Sequence, residues 1–226
     1  METTKNPFEF PPGSQDPLGV RERIAQSVVT RESSRAARLQ RTLETLLVLT
    51  QSNPPATPIA FEHFLATILD ALLLATEASK GNLQLFDPVD QTLHIRVQRG
   101  FSPGFLQFFS RVQDTSAACG LAFAKGGPEV VEDIAISPLF SSAARQAILD
   151  ADVRAVQSLA LVTTAGKLGV VSVHYPRPSI PVHRREAFAN SAPLVARLVE
   201  AGLRAEPEPP KVGGPKANAA APSGGR

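Results

Sequence analysis

The chain contains a single cysteine, Cys119. That excludes an internal disulfide and any cysteine-cluster metal site, and it suits a reducing compartment. An excess of one charge sign is also missing. The 23 Lys and Arg against 21 Asp and Glu leave a formal net charge of +2, too little for the concentrated basic face that nucleic acid requires. The longest apolar runs, such as the one around Leu46 to Leu49, are far shorter than the ~18 to 20 residues a membrane span needs. No basic stretch followed by an apolar core opens the chain, so no signal peptide is expected. The expectation is a cytoplasmic protein with neither nucleic acid nor membrane as a partner. The four histidines are well separated and offer no zinc-like pair. A structural metal is therefore not expected, a heme with one axial histidine stays open, and no cofactor can be named.

What is present suits one domain with extensions: 226 residues, 43% of them hydrophobic. A domain of about 150 residues buries roughly 70% of its extended-chain surface and needs no covalent staple. Residues 1–19 carry Pro7, Pro11, Pro12, Gly13 and Pro17 among polar neighbours and are expected to be disordered. Residues 206–226, with nine Pro or Gly among 21 and no aromatic, cannot offset their ordering entropy and are expected to be a disordered tail. Residues 20–52 predict an N-terminal helix with Ile24, Val28, Leu39, Leu43, Leu46 and Leu47 as its apolar positions. Its heptad through 28, 32, 35, 39, 43 and 46 is interrupted by Glu32 and Arg35, which argues against a long coiled coil. "NPPATP" stops that helix and begins the main domain, 58–205.

Within the domain, Phe61, Phe64, Leu65, Ile68, Leu72 and Ala75 follow helical spacing over 59–78. Leu83 and Leu85 alternate around Gln84, and Leu93, Ile95 and Val97 alternate with His94, Arg96 and Gln98, with "DPVD" as the turn between two strands. Ser102 and Pro103 begin a short helix bearing Phe105, Phe108 and Phe109, and Ser116 and Gly126 bracket another. A brief strand is predicted at 129–132 and a helical turn from Ser137 and Pro138. Strands Ala155 to Val162 and Leu168 to Tyr175 form a hairpin around "TTAGK". A last helix, 183–205, contains Pro193. The order predicts an α+β fold with an antiparallel sheet of five or six strands.

The stretches "GNLQLFDP", "QRGFSPGFLQFF", "ACGLAF", "VVEDIAISPLF", "VRAVQSLALV" and "LGVVSVHY", in this order across roughly 60–205, resemble a GAF domain, the small-molecule sensory module of bacterial signalling proteins. The resemblance implies a central antiparallel sheet with terminal helices on one face, and short helices and loops over a ligand pocket on the other. It also implies a homodimer built as a parallel bundle of the terminal helices, and an output partner such as a kinase or a transcriptional regulator. The bilin-binding members attach their chromophore through a Cys often followed by His, whereas Gly120 follows Cys119 here. The free methionine sulfoxide reductases of the family use several cysteines. No cyclic-nucleotide signature is present.

Phe101, Phe105, Phe108 and Phe109 either fill a core or close a lid over something small. Helical spacing assigns Phe105 and Phe109 to core, which leaves Phe101 and Phe108 for a ligand. Cys119 is either a thiolate favoured by the first turn of a helix or a small apolar residue packed on the sheet. Ser172 and His174 share one strand face, opposite Val171, Val173 and Tyr175, and Ser158 on the neighbouring strand joins them. With Gly120 and Phe140, these residues make the expected ligand set: Phe101, Phe108, Cys119, Gly120, Phe140, Ser158, Ser172 and His174. Arg96, Arg99, Arg111 and Arg154 serve either an anionic ligand or surface ion pairs with acids such as Glu132 and Asp133. No nucleophile–base–orienter set emerges, so no enzyme is expected. A non-catalytic ligand-binding module, an interaction domain whose pocket is filled by its own phenylalanines, and a single-cysteine redox sensor remain as alternatives.

Overall fold

The computed structural model describes residues 17–205, with side chains from Gly19 onward. Of the segments expected to be disordered, 1–16 and 206–226 lie outside the described residues, whereas 17–19 form the first turn of α1. The elements run α1 (Pro17–Gln51), α2 (Pro58–Thr76), β1 (Lys80–Asp87), β2 (Thr92–Arg99), α3 (Pro103–Phe108), β3 (Arg111–Val112), α4 (Ala118–Lys125), β4 (Pro128–Val131), α5 (Ser142–Asp150), β5 (Ala155–Thr163), β6 (Gly166–Tyr175) and α6 (Val182–Ala205). The six strands form one sheet in the order β3-β2-β1-β6-β5-β4, and every pairing is antiparallel. The fold is the α+β arrangement that the sequence predicts.

Each face of the sheet has its own core. On one face α2 and α6 bury Phe61, Leu65, Ile68, Leu72, Phe188, Val195 and Val199 against Leu83, Leu85, Leu159, Val171 and Val173. Thr57 caps α2, its hydroxyl accepting from the amide of Ala60, with Pro58 in the first turn. By length and composition α2 is apolar enough to cross a membrane, although its unbroken apolar runs are short. Here it is the core helix, with Phe61, Leu65, Ile68, Leu69 and Leu72 fully buried. Glu77, in the left-handed region at φ 54°, ends α2 and bonds both Arg38 of α1 and Arg184 of α6. The buried Thr42 hydroxyl donates to the carbonyl of Ala71 and pins α1 onto α2.

The other face carries Leu93, Phe101, Phe105, Phe109, Val112, Ile134, Phe140, Ile148, Val156 and Val170 beneath α3, α4 and α5. The simple alternation expected along β2 fails at Arg96. Leu83 pairs with Val97 but Gln84 pairs with Ile95, so one extra residue bulges out. The bulge reverses the facing of the strand: Val97 joins the helix-side core, whereas Leu93 and Ile95 face the phenylalanines.

Two predicted caps move. α4 starts after Ala117 with no side-chain cap, because Asp114 captures Ser116 through both its amide (2.9 Å) and its hydroxyl (2.5 Å). The stretch at Ser137 and Pro138 is not helical. Arg145 draws it into a loop by donating to the carbonyls of Ile134 (3.2 Å), Ser137 (2.6 Å) and Phe140 (3.3 Å). The helix begins instead at Ser142, where the Ser141 hydroxyl accepts from the amide of Ala144.

Candidate ligand site

Alternation on three neighbouring strands gives one sheet face a polar row. Asn82 on β1 lies opposite Ser172 on β6, and Ser172 lies opposite Ser158 on β5. The two serine hydroxyls hydrogen-bond at 2.8 Å. Gln84 and His174, two residues along their strands, extend the row. Over it sit Phe105 and Phe109, Ala117, Ala118 and Cys119, then Phe140 and Ile148. Together they enclose about 30 Å³, room for roughly two waters at ~10–15 Å³ each. None of the lining side chains is formally charged.

Three polar atoms of the lining are buried without a hydrogen-bond partner in the protein: Asn82 Oδ1, Gln84 Oε1 and His174 Nδ1. Leaving such a group with neither a protein partner nor water costs about 1–3 kcal/mol, and the cavity's room for about two waters lets solvent or a ligand group serve them. Burial, and secondarily the charge of Lys80, pushes the His174 pKa down to about 3. The ring is therefore neutral, with one nitrogen as donor and the other as acceptor. Burial pushes the Cys119 thiol up to about 11, against weaker opposing hydrogen bonds from backbone amides and Gln84. A thiolate at the start of α4 is thus not what this site holds.

Of the expected residues, Cys119, Phe140, Ser158, Ser172 and His174 meet around this cavity. Phe105 and Phe109 are buried in the core, as expected, but they also face the cavity, which Phe101 and Phe108 do not line. Phe105 and Phe109, one helical turn apart, form the cavity wall. Phe101 stands behind, stacked on Phe105 (3.9 Å between centroids) and edge-on to His174 (5.0 Å). Phe108 points away, is 46% exposed, and touches Phe109 from outside. Gly120 packs rather than lines: a Cβ there would stand 1.8 Å from the Asp114 carbonyl oxygen. Asn82 and Gln84 were missed, although they alternate with Leu83 and Leu85 just as Ser172 and His174 alternate with Val171 and Val173.

The candidate arginines lie outside the cavity. Arg99 makes a two-pronged bond to Asp70 (2.8 and 2.9 Å), and Arg154 bonds Asp133 (3.0 Å), whose carboxyl it holds below the usual range. Arg96 lies over the Phe61 ring on the opposite face, and Arg111 is exposed. Glu132 bonds Arg185 (2.7 Å). At the β1–β2 turn, Asp87, Asp90 and His94 bring three potential metal donors within 4.8 Å of one another. Hydrogen bonds within the turn already occupy them: Asp87 accepts from the amide of Val89, and Asp90 bonds both Thr92 and His94.

No family model and no curated protein matches the sequence. Solved structures do match, at low identity. The GAF domain of a phosphoenolpyruvate-protein phosphotransferase from Coxiella burnetii is 14% identical, with a TM-score of 0.57 over 74% of this chain and 96% of that one. The corresponding domain from Acinetobacter is 12% identical, with a TM-score of 0.57 over 75% and 95%. Free methionine-R-sulfoxide reductase from Neisseria meningitidis, solved with its substrate, is 16% identical, with a TM-score of 0.57 over 76% and 93%. The fold of this chain is GAF-like.

Proposed function

We propose that this chain is a non-catalytic regulatory module that takes a small, uncharged, hydrogen-bonding molecule between its sheet and the phenylalanine-bearing α3, and relays that event to a partner protein in the cytoplasm. The supporting observation is the convergence of Asn82 Oδ1, Gln84 Oε1 and His174 Nδ1, buried and unpartnered, on one cavity. A ligand with donors and acceptors at matching positions relieves their desolvation cost, whereas an ionic one meets no countercharge.

At about 30 Å³ the cavity admits such a molecule only if its cover moves. That cover is built from helices of six, eight and nine residues, too short to be stable alone. Gly100 and Gly126, both at positive φ, bracket the stretch holding α3 and α4 and serve as its hinges. Displacement of α3 is then the signal the partner reads. Kinases, phosphotransferases and transcriptional regulators are the partner classes that the fold favours.

Catalysis is disfavoured by the chemistry on hand. Ser158 and Ser172 bond each other rather than a base, His174 is held neutral, and Cys119 is held as a thiol. The small cavity volume favours a second reading, an interaction domain that Phe105 and Phe109 have already filled. Thermal unfolding with a panel of small neutral and anionic metabolites separates the two. A neutral ligand at 100 times its Kd stabilises by about 2.7 kcal/mol, and an absorption spectrum screens for heme, bilin or flavin. No shift with any compound supports the interaction domain.

A further inference from the structure

Helix α1 extends well beyond the body it packs on. Residues 20–34 are exposed throughout, whereas Thr42 and Leu46 in its second half are buried against α2. The projecting half is not uniformly polar: Ile24 and Val28 are 59% and 53% exposed. An isolated helical stretch of this length is marginal in water without a partner for its apolar face. Beside the second half, a groove of about 310 Å³ runs between α1 and α6, with Arg35, Leu39, Leu43 and Leu194 among its walls.

These two features are complementary in register. Positions 24, 28, 32, 35, 39 and 43 are spaced 4, 4, 3, 4 and 4, an 11-residue repeat that keeps one stripe on a nearly straight helix. The stripe reads Ile, Val, Glu, Arg, Leu, Leu. Reversed and laid against itself, it pairs Ile24 with Leu43, Val28 with Leu39 and Glu32 with Arg35, the numbers in each pair adding to 67. Beside the stripe, Arg23 and Glu44 obey the same sum.

We infer that two copies of this chain pair antiparallel through α1, about a two-fold axis between residues 33 and 34, with Ile24 and Val28 of each seated in the α1–α6 groove of the other. The apolar layers lie at the two ends and the ion pairs at the centre. Glu32 and Arg35, which interrupt a heptad, are here the device that fixes register, as polar groups at seam positions do in helical pairs. They already lie 3.7 Å apart within one chain, so the dimer joins two such pairs into a four-charge cluster. A parallel in-register pair sets Glu32 against Glu32 and Arg35 against Arg35, and it leaves the two groove halves unmatched. Charge complementarity therefore selects the antiparallel form over the parallel bundle that the family resemblance implies. The two domain bodies then lie at opposite ends of the shared helix pair.

The test combines sedimentation with cross-linking in a Cys119→Ser background. The full chain is expected to sediment as a dimer at about 10 μM, and Val28→Asp, at an exposed position, to weaken association at least tenfold with unchanged circular dichroism. Val28→Cys and Leu39→Cys chains are expected to cross-link when mixed but not separately. The same residue on two antiparallel copies is ~16 Å away along the axis at 1.5 Å per residue, beyond disulfide reach. Arg23→Glu and Glu44→Arg are each expected to weaken the dimer several-fold and together to restore it. Those two positions are ~32 Å apart within one helix, so only the antiparallel dimer couples them. A monomer up to about 100 μM overturns the inference and leaves the stripe to another partner. Self-cross-linking of Val28→Cys overturns it in favour of a parallel pair.

Discussion

The ring of Phe101 meets the imidazole of His174 edge-on, with centroids 5.0 Å apart and planes at 88°. Phe101 is also stacked at 3.9 Å on Phe105, part of the wall of the polar cavity. The one ionisable side chain on the cavity's strand face is thereby packed into aromatic surroundings. The same contact ties β6 to the segment just ahead of α3.

That environment makes stability depend on pH in a defined direction. The folded His174 pKa is depressed to about 3, while the unfolded chain titrates near 6.5. Above about pH 6.5 both states are neutral and the residue contributes no slope. As pH falls below that value the unfolded state takes up the proton and stability declines, by up to about 1.4 kcal/mol per pH unit, until the folded pKa is reached. His174→Phe removes this contribution. Urea unfolding of both proteins from pH 7.5 to 4.5 should show the variant gaining on the parent as pH falls. A constant difference would mean that His174 titrates normally.

The Ser158–Ser172 pair tests whether the sheet face is as dry as its packing implies. Ser158→Ala strips the Ser172 hydroxyl of its partner and should cost about 1–3 kcal/mol. The double replacement by alanine leaves no orphan and should cost less than the two single changes added together. Additive losses in a denaturant double-mutant cycle would show that water already serves both hydroxyls.

Cys119 is only half-buried, yet it should still react slowly. Burial raises its pKa to about 11, so the thiolate that reacts is scarce at pH 8. Alkylation with iodoacetamide should be at least tenfold slower in the folded protein than in denaturant. Equal rates would revive the redox-sensor alternative.

The sheet faces of β5 and β6 are legible in the sequence because their period-two pattern runs unbroken through the site. Ser158, Ser172 and His174 share one sheet face for that reason. β2 is not legible past Arg96, where the bulge comes from pairing with β1 rather than from any local signal. The Ser116 cap fails because Asp114 captures its hydroxyl. The Ser137 hydroxyl closes only a short turn with the Leu139 amide because the distant Arg145 guanidinium holds the Ser137 carbonyl in a loop. Sequence spacing shows neither. Helical spacing correctly puts Phe105 and Phe109 in the core, but it does not show that the same face also borders a cavity or that Phe108 points away from it. Asn82 and Gln84 carried a readable signal, since they alternate with buried leucines, but amides on a strand look like ordinary surface until their burial is known.

Asn82 and Gln84 are the residues on which the proposed ligand site most depends. Replacing both by leucine removes two unpartnered buried oxygens, so the variant should be at least as stable as the parent while losing what they bind. Native mass spectrometry of parent and Asn82→Leu/Gln84→Leu protein, each equilibrated with the same extract of small metabolites, reads this directly. The parent is expected to retain a neutral small molecule and the variant none. No retained species on the parent, or equal retention by both, would contradict it.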